Sequence, residues 1–184
     1  MQATNATHHL VLEDDLVLCE DFLEGVIEAL SWAPHGPVNF YANRAVVERC
    51  REQGSSWARI EDGYWGQATC FPSDQVREFL SWDRANLRPD AFAHDSRKTV
   101  WGLATGKWVW CTVPSLVDHE GASSSTIGYS NKNRRARWFI GANNSALSVD
   151  WSQGVTDPPK DQDKRLSWHG YKDLWQQPPP GIYT

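Results

Sequence analysis

Three consecutive carboxylates, Glu13, Asp14 and Asp15, follow directly on the apolar run Leu10-Val11-Leu12. In an extended chain successive side chains point to opposite sides, so Glu13 and Asp15 share one side and Asp14 takes the other. Two like charges on one side of a strand end repel. A hard divalent cation between them removes that cost, and such ions prefer oxygen ligands. The same pattern also fits a solvated acidic turn ahead of a helix, and spacing alone does not separate the two. His119, after a later strand pattern, is a candidate third ligand, because Mn2+ accepts imidazole nitrogen as well as carboxylate oxygen. A lone His after a strand also fits an ordinary loop residue.

Three further groups could carry chemistry. Asp95 stands where a helix opens, so it is either an N-cap or a general base that deprotonates a substrate hydroxyl, and one residue can do both. Ser123, Ser124 and Ser125 follow Gly121 in a loop that could donate to phosphate or sugar oxygens, or simply connect. Lys132, Arg134, Arg135 and Arg137 form a basic patch suited to a diphosphate or an acidic partner, and equally to a solvated face. There is no Gly-x-Ser-x-Gly elbow, no phosphate-cradling Gly-Lys-Ser/Thr loop and no His-Glu-x-x-His pair.

The elements that must position these residues alternate between strand and helix patterns. Residues 10–12 read as a short buried strand, and Leu16-Val17-Leu18 follows the acidic turn. Asp21 with Glu24 predicts a capping box, and Phe22, Val26, Ile27 and Leu30 recur at helical spacing. Pro34-His35-Gly36-Pro37 stops that helix. Residues 38–41 form a second strand pattern, and 45–52 a helix that ends near Gly54. Residues 57–60 and 67–71 read as strands around the loop 62–66. Pro72-Ser73-Asp74 opens a third helix, to about residue 82, with Val76, Phe79 and Leu80 inward. His94-Asp95-Ser96 leads into a fourth helix that runs to about residue 104 and is ended by Gly106. Residues 108–113 are a strong strand pattern leading into Pro114-Ser115-Leu116-Val117-Asp118-His119. This alternation predicts an α/β fold over residues 1–128. Residues 129–184 show no period and end Trp- and Pro-rich, which predicts an irregular C-terminal extension.

The chain has 184 residues, enough for one domain with a sizeable core, and a net charge of −5, which argues against nucleic-acid binding through a basic surface. Eleven Trp residues are unusual. Most are expected in the core, with Trp65 in the Gly-rich loop a candidate for stacking on a sugar. The four cysteines, Cys19, Cys50, Cys70 and Cys111, are far apart and form no metal-type pair. With no signal-peptide pattern and no apolar run of spanning length, they are expected to be reduced, buried thiols of a cytoplasmic protein.

The order of these pieces resembles a known family. A strand ending in Leu12-Glu13-Asp14-Asp15 and leading into a helix is similar to the acidic motif of GT-A-fold glycosyltransferases, and most of all to the lipopolysaccharide-type members. Gly66-Gln67-Ala68-Thr69-Cys70 resembles the acceptor-side strand of that fold. Asp95 opening a helix, then the aromatic strand into Pro114 to His119 with the serines after it, resembles the end of the same domain. The likeness covers about residues 8–127.

It implies that Glu13 and Asp15 hold Mn2+ or Mg2+ and the donor diphosphate, that His119 adds a ligand, and that Asp95 activates the acceptor hydroxyl. Asp14, Trp65, Gln67, Ser123 and Ser124 would then contact donor or acceptor. The implied reaction moves a sugar from a nucleotide-sugar to a glycan or protein hydroxyl. In such enzymes a nucleotide-binding half precedes the acidic motif, whereas seven residues precede His8 here. The expectation is therefore an N-terminally truncated GT-A-like sheet, whose bare edge is capped by the tail or paired with another copy, or a partner chain that supplies the missing half. The alternative is a non-catalytic glycan-binding or assembly module derived from such an enzyme, with the flavour of a phage-encoded accessory protein.

Overall fold

A computed structural model describes residues 5–33, 35–42, 46–60, 66–90, 94–120, 135–156 and 173–176. The elements are β1 (His8–Leu12), β2 (Leu16–Leu18), α1 (Phe22–Trp32), β3 (Val38–Asn39), α2 (Val46–Gln53), β4 (Trp57–Ile60), β5 (Ala68–Pro72), α3 (Ser73–Asn86), α4 (His94–Thr105), β6 (Val109–Thr112), β7 (Val117–His119) and β8 (Val155–Thr156). Six strands form one mixed sheet in the order β1-β5-β3-β6-β4-β8, and β2 pairs with β7 in a second, two-stranded sheet. The chain is thus a mixed α/β fold with a helix-flanked sheet.

Side chains alternate across the sheet and divide the core in two. On one side Phe22, Val26 and Ala29 of α1 meet Val38, Phe40, Ala68, Cys70 and Leu116. On the other, Phe71, Ala58, Ile60, Val109 and Cys111 meet α2 through Val46, Val47 and Cys50, and α4 through Trp101. All four cysteines are free and buried. Burial pushes the thiols of Cys19 and Cys70 up to about 11. Among the described residues no helix is long and apolar enough to cross a membrane.

Several sequence expectations meet a different structure. β1 is an edge strand, not a buried one, with Val11 50% and Leu12 40% exposed. The capping box at Asp21 does not form. Asp21 adopts a left-handed conformation (φ 52°), its side chain caps no helix N–H, and its Oδ2 accepts from Ser145 Oγ instead. Leu80 and Ile27 point outward.

The largest difference lies after residue 134. Residues 135–156, expected as an irregular extension, are mostly turns and bends, but they pack into the core. Ala146 and Trp151 are buried in the α1-side cluster, and β8 extends the sheet beside β4. Gly25 allows the close approach, since a Cβ there would overlap the Ala146 methyl. Glu20 holds the same segment from both sides: its N–H donates to Asn144 O and its carbonyl accepts from Ala146 N–H. Residues 173–176 dock on the end of α3, where Trp175 meets Trp82 edge-on at 5.7 Å.

Candidate metal centre

Two backbone ladders bring the acidic turn and His119 together. β1 runs antiparallel to β5 with Leu12 opposite Ala68. One step further, Glu13 N–H donates to Gln67 O at 3.0 Å, which fixes Glu13 beside the start of β5. The chain then turns and re-enters as β2, where Leu16 lies opposite His119. Glu120 N–H donates to Asp15 O at 2.9 Å and extends that ladder past the strand end. The turn is therefore pinned at both ends, with Asp15 held against β7.

The result is a compact donor set. One ligand atom from each of Glu13, Asp15 and His119 lies within 4.8 Å of the others. His119 Nδ1 stands 3.3 Å from Asp15 Oδ2. The imidazole is buried and packs edge-on against the buried ring of Tyr41, with centroids 5.7 Å apart. Both carboxylates are half-buried, and Asp14 points to solvent. Two oxygens and one nitrogen at this spacing suit an ion that accepts both donor types with bonds of about 2–2.5 Å. Gln67 is the strand neighbour of Glu13. It lies opposite Glu13 on the same face, is 9% exposed, and its Oε1 is buried without a hydrogen-bond partner among the described residues. The residues present thus fit Mn2+ or Mg2+.

Asp95 joins this group through Gly66. A Cβ at Gly66 would lie 2.7 Å from Asp95 Oδ1 and 2.7 Å from Glu13 Oε1, so the two carboxylates flank one backbone position. α4 begins at His94, which places Asp95 inside its first turn. Lys98, one turn on, brings its ammonium 3.4 Å from Asp95 Oδ1 while only 12% of its side chain is exposed. That charge offsets the repulsion of two neighbouring carboxylates. The sequence reading missed Lys98, although an acid and a base three residues apart on a helix share a face.

Asp118 is a second residue the sequence reading passed over. Its carboxylate is buried. Oδ1 accepts from His119 N–H at 2.9 Å and from Ala136 N–H at 2.8 Å, while Oδ2 pairs with Arg135. Asp118 therefore ties the strand that carries His119 to the C-terminal segment. This accounts for part of the basic patch: Arg135 serves Asp118, and Arg137 pairs with Glu48 at 2.8 Å. Lys132, Arg134, Trp65, Ser123 and Ser124 lie outside the described residues. Compared with protein-family models, with curated proteins and with solved structures, the chain finds no match.

Proposed function

We propose that the chain binds a divalent cation, Mn2+ or Mg2+, at Glu13, Asp15 and His119, and that this centre serves transfer of a sugar from a nucleotide-sugar donor to a hydroxyl acceptor. The observation that carries the reading is that Glu13, Asp15, His119 and Asp95, from three separate stretches of sequence, gather around one β-strand entrance. The bound ion would neutralise charge on the departing diphosphate. Asp95, half-exposed and steadied by Lys98, has the accessibility to accept the proton of an acceptor hydroxyl. Buried His119, clamped between Tyr41 and Asp15, presents its ring without loss of rotamer freedom on binding. Gln67 Oε1 would receive a hydrogen bond from ligand or from an ion-bound water.

Calorimetric titration with Mn2+, followed by assay of nucleoside diphosphate release from nucleotide-sugars, tests the proposal. Metal binding that is lost in Asp15→Asn, together with donor cleavage lost in Asp95→Asn, supports it. No metal binding by the folded wild-type protein overturns it. The exposed β1 edge favours a second reading, in which the fold serves as a non-catalytic assembly module. Metal binding without donor cleavage would favour that reading.

A further inference from the structure

Among the described residues, β1 is bonded to β5 on one side only. In an antiparallel pair the N–H and C=O of one residue point to the same neighbour, and those of the next residue point away. Glu13 N–H donates to Gln67 O, and Thr7 O accepts from Ser73 N–H at 2.9 Å, so the odd-numbered residues address β5. His8, Leu10 and Leu12 therefore turn their N–H and C=O groups to the outer edge. Nothing in β1 blunts that edge. It has no proline, no lysine and no break in its register with β5, although natural edge strands commonly carry such devices. Val11 and Leu12 are exposed. The described parts of the tail go elsewhere: β8 lies on the opposite edge of the sheet, and residues 173–176 sit against Leu87.

We infer that β1 is a homodimer interface, in which it pairs antiparallel with β1 of a second copy about a two-fold axis at Leu10. The outward-facing residues fit this register. Leu10 stands opposite its own counterpart, and His8 stands opposite Leu12 of the second copy, so every outward N–H meets an outward C=O. Three such pairs form about six hydrogen bonds and join the two sheets into one. Charge selects this direction. Parallel pairing would set Glu13, Asp14 and Asp15 beside their own copies, whereas antiparallel pairing sets them beside Thr7, Ala6 and Asn5, with Glu13 diagonally across from His9. The inference is independent of the metal reading.

Sedimentation velocity of the full chain over a dilution series tests it. The expected result is a species of twice the chain mass that dissociates on dilution. The double variant His8→Pro/Leu12→Pro removes only outward N–H groups and keeps every bond to β5, so it should be monomeric with an unchanged far-UV circular dichroism spectrum. The double variant His9→Cys/Val11→Cys tests the register directly. Positions 9 and 11 face each other across the axis as a close pair, about 4.5 Å between Cα atoms, and should give a covalent dimer on mild oxidation. A wild-type protein that is monomeric at every concentration, or a dimer that the proline variant leaves intact, overturns the inference. If the proline variant fails to fold, absence of the cross-link in the cysteine variant overturns it equally.

Discussion

His119 Nδ1 lies 3.3 Å from Asp15 Oδ2, and the two residues are also joined through the backbone, because Leu16 opposes His119 and Asp15 O accepts from Glu120 N–H. A histidine and a carboxylate from distant parts of the chain are thus held side by side by strand pairing. Pre-organisation of this kind lowers the cost of binding, because little side-chain freedom remains to be lost.

Asp15→Asn should therefore weaken Mn2+ binding by ~10-fold or more, since substitutions merely behind a ligand cost about that much. In the wild-type protein, Mn2+ at about a hundred times its Kd should raise unfolding free energy by about 2.7 kcal/mol. Chemical denaturation with and without Mn2+ measures both effects. Equal midpoints in the two conditions would contradict them.

Gly66→Ala separates the site from the fold. The added Cβ would contact Asp95 Oδ1 and Glu13 Oε1, the far ends of flexible side chains, and no backbone atom is comparably close. The carboxylates should swing aside at a stability cost below about 1 kcal/mol, while Mn2+ affinity and any donor cleavage fall several-fold. An unchanged Mn2+ isotherm in a normally folded variant would show that Gly66 does not floor the site.

The sequence made the acidic turn, the helix carrying Asp95 and the strand before His119 legible, because each is marked by a local signal: an apolar run meeting carboxylates, helical spacing, an aromatic strand. It also named Glu13, Asp15 and His119 as a group. What it hid was long-range. Residues 135–156 have no period because they pack by single anchors, Ala146 against Gly25 and Trp151 beside Trp57, rather than through a repeating face. The cap at Asp21 failed for the same reason, since its carboxylate was claimed by Ser145 from that segment. An apolar triplet looks alike in the middle of a sheet and at its edge, so Leu10-Val11-Leu12 alone does not reveal the exposure of β1.

Gly25→Ala tests the anchor. Ala gains about 1 kcal/mol of helix propensity over Gly. The new Cβ would, however, overlap the Ala146 methyl, with Ala146 Cα 3.4 Å away, so backbone must move. Overpacking of this kind costs about 1–3 kcal/mol, and the net effect should be destabilising. A higher melting temperature in the variant would mean that the C-terminal segment is not clamped on α1.

Stability should fall at alkaline pH through Cys19 and Cys70. Burial is the largest cause of both shifts, and raises the folded-state values from 9.0 to about 11. Below pH 9 both states hold the protons, so these thiols leave stability unaffected there. Between about pH 9 and 11 the unfolded chain releases them and the folded one does not, so unfolding becomes progressively easier. Denaturation midpoints that stay flat to pH 8.5 and then drop are expected. Replacing both residues with alanine should lower stability at neutral pH and flatten the alkaline drop.

Asp118 and Arg135 share one ion pair but should not be equivalent on removal. The Arg135 side chain is 51% exposed and can return to water, whereas that of Asp118 is 4% exposed and also accepts from the N–H groups of His119 and Ala136. Arg135→Ala leaves a carboxylate still held by two donors, and should cost about 1–2 kcal/mol. Asp118→Ala leaves two N–H groups without their acceptor, and should cost about 2–4 kcal/mol. Because one of those groups belongs to His119, Asp118→Ala should also loosen the imidazole and weaken Mn2+ binding, whereas Arg135→Ala should leave affinity nearly intact. Urea denaturation and Mn2+ titration of the two variants side by side check this. Equal losses of stability and of affinity would mean that the ion pair, rather than the two backbone bonds, holds β7 in place.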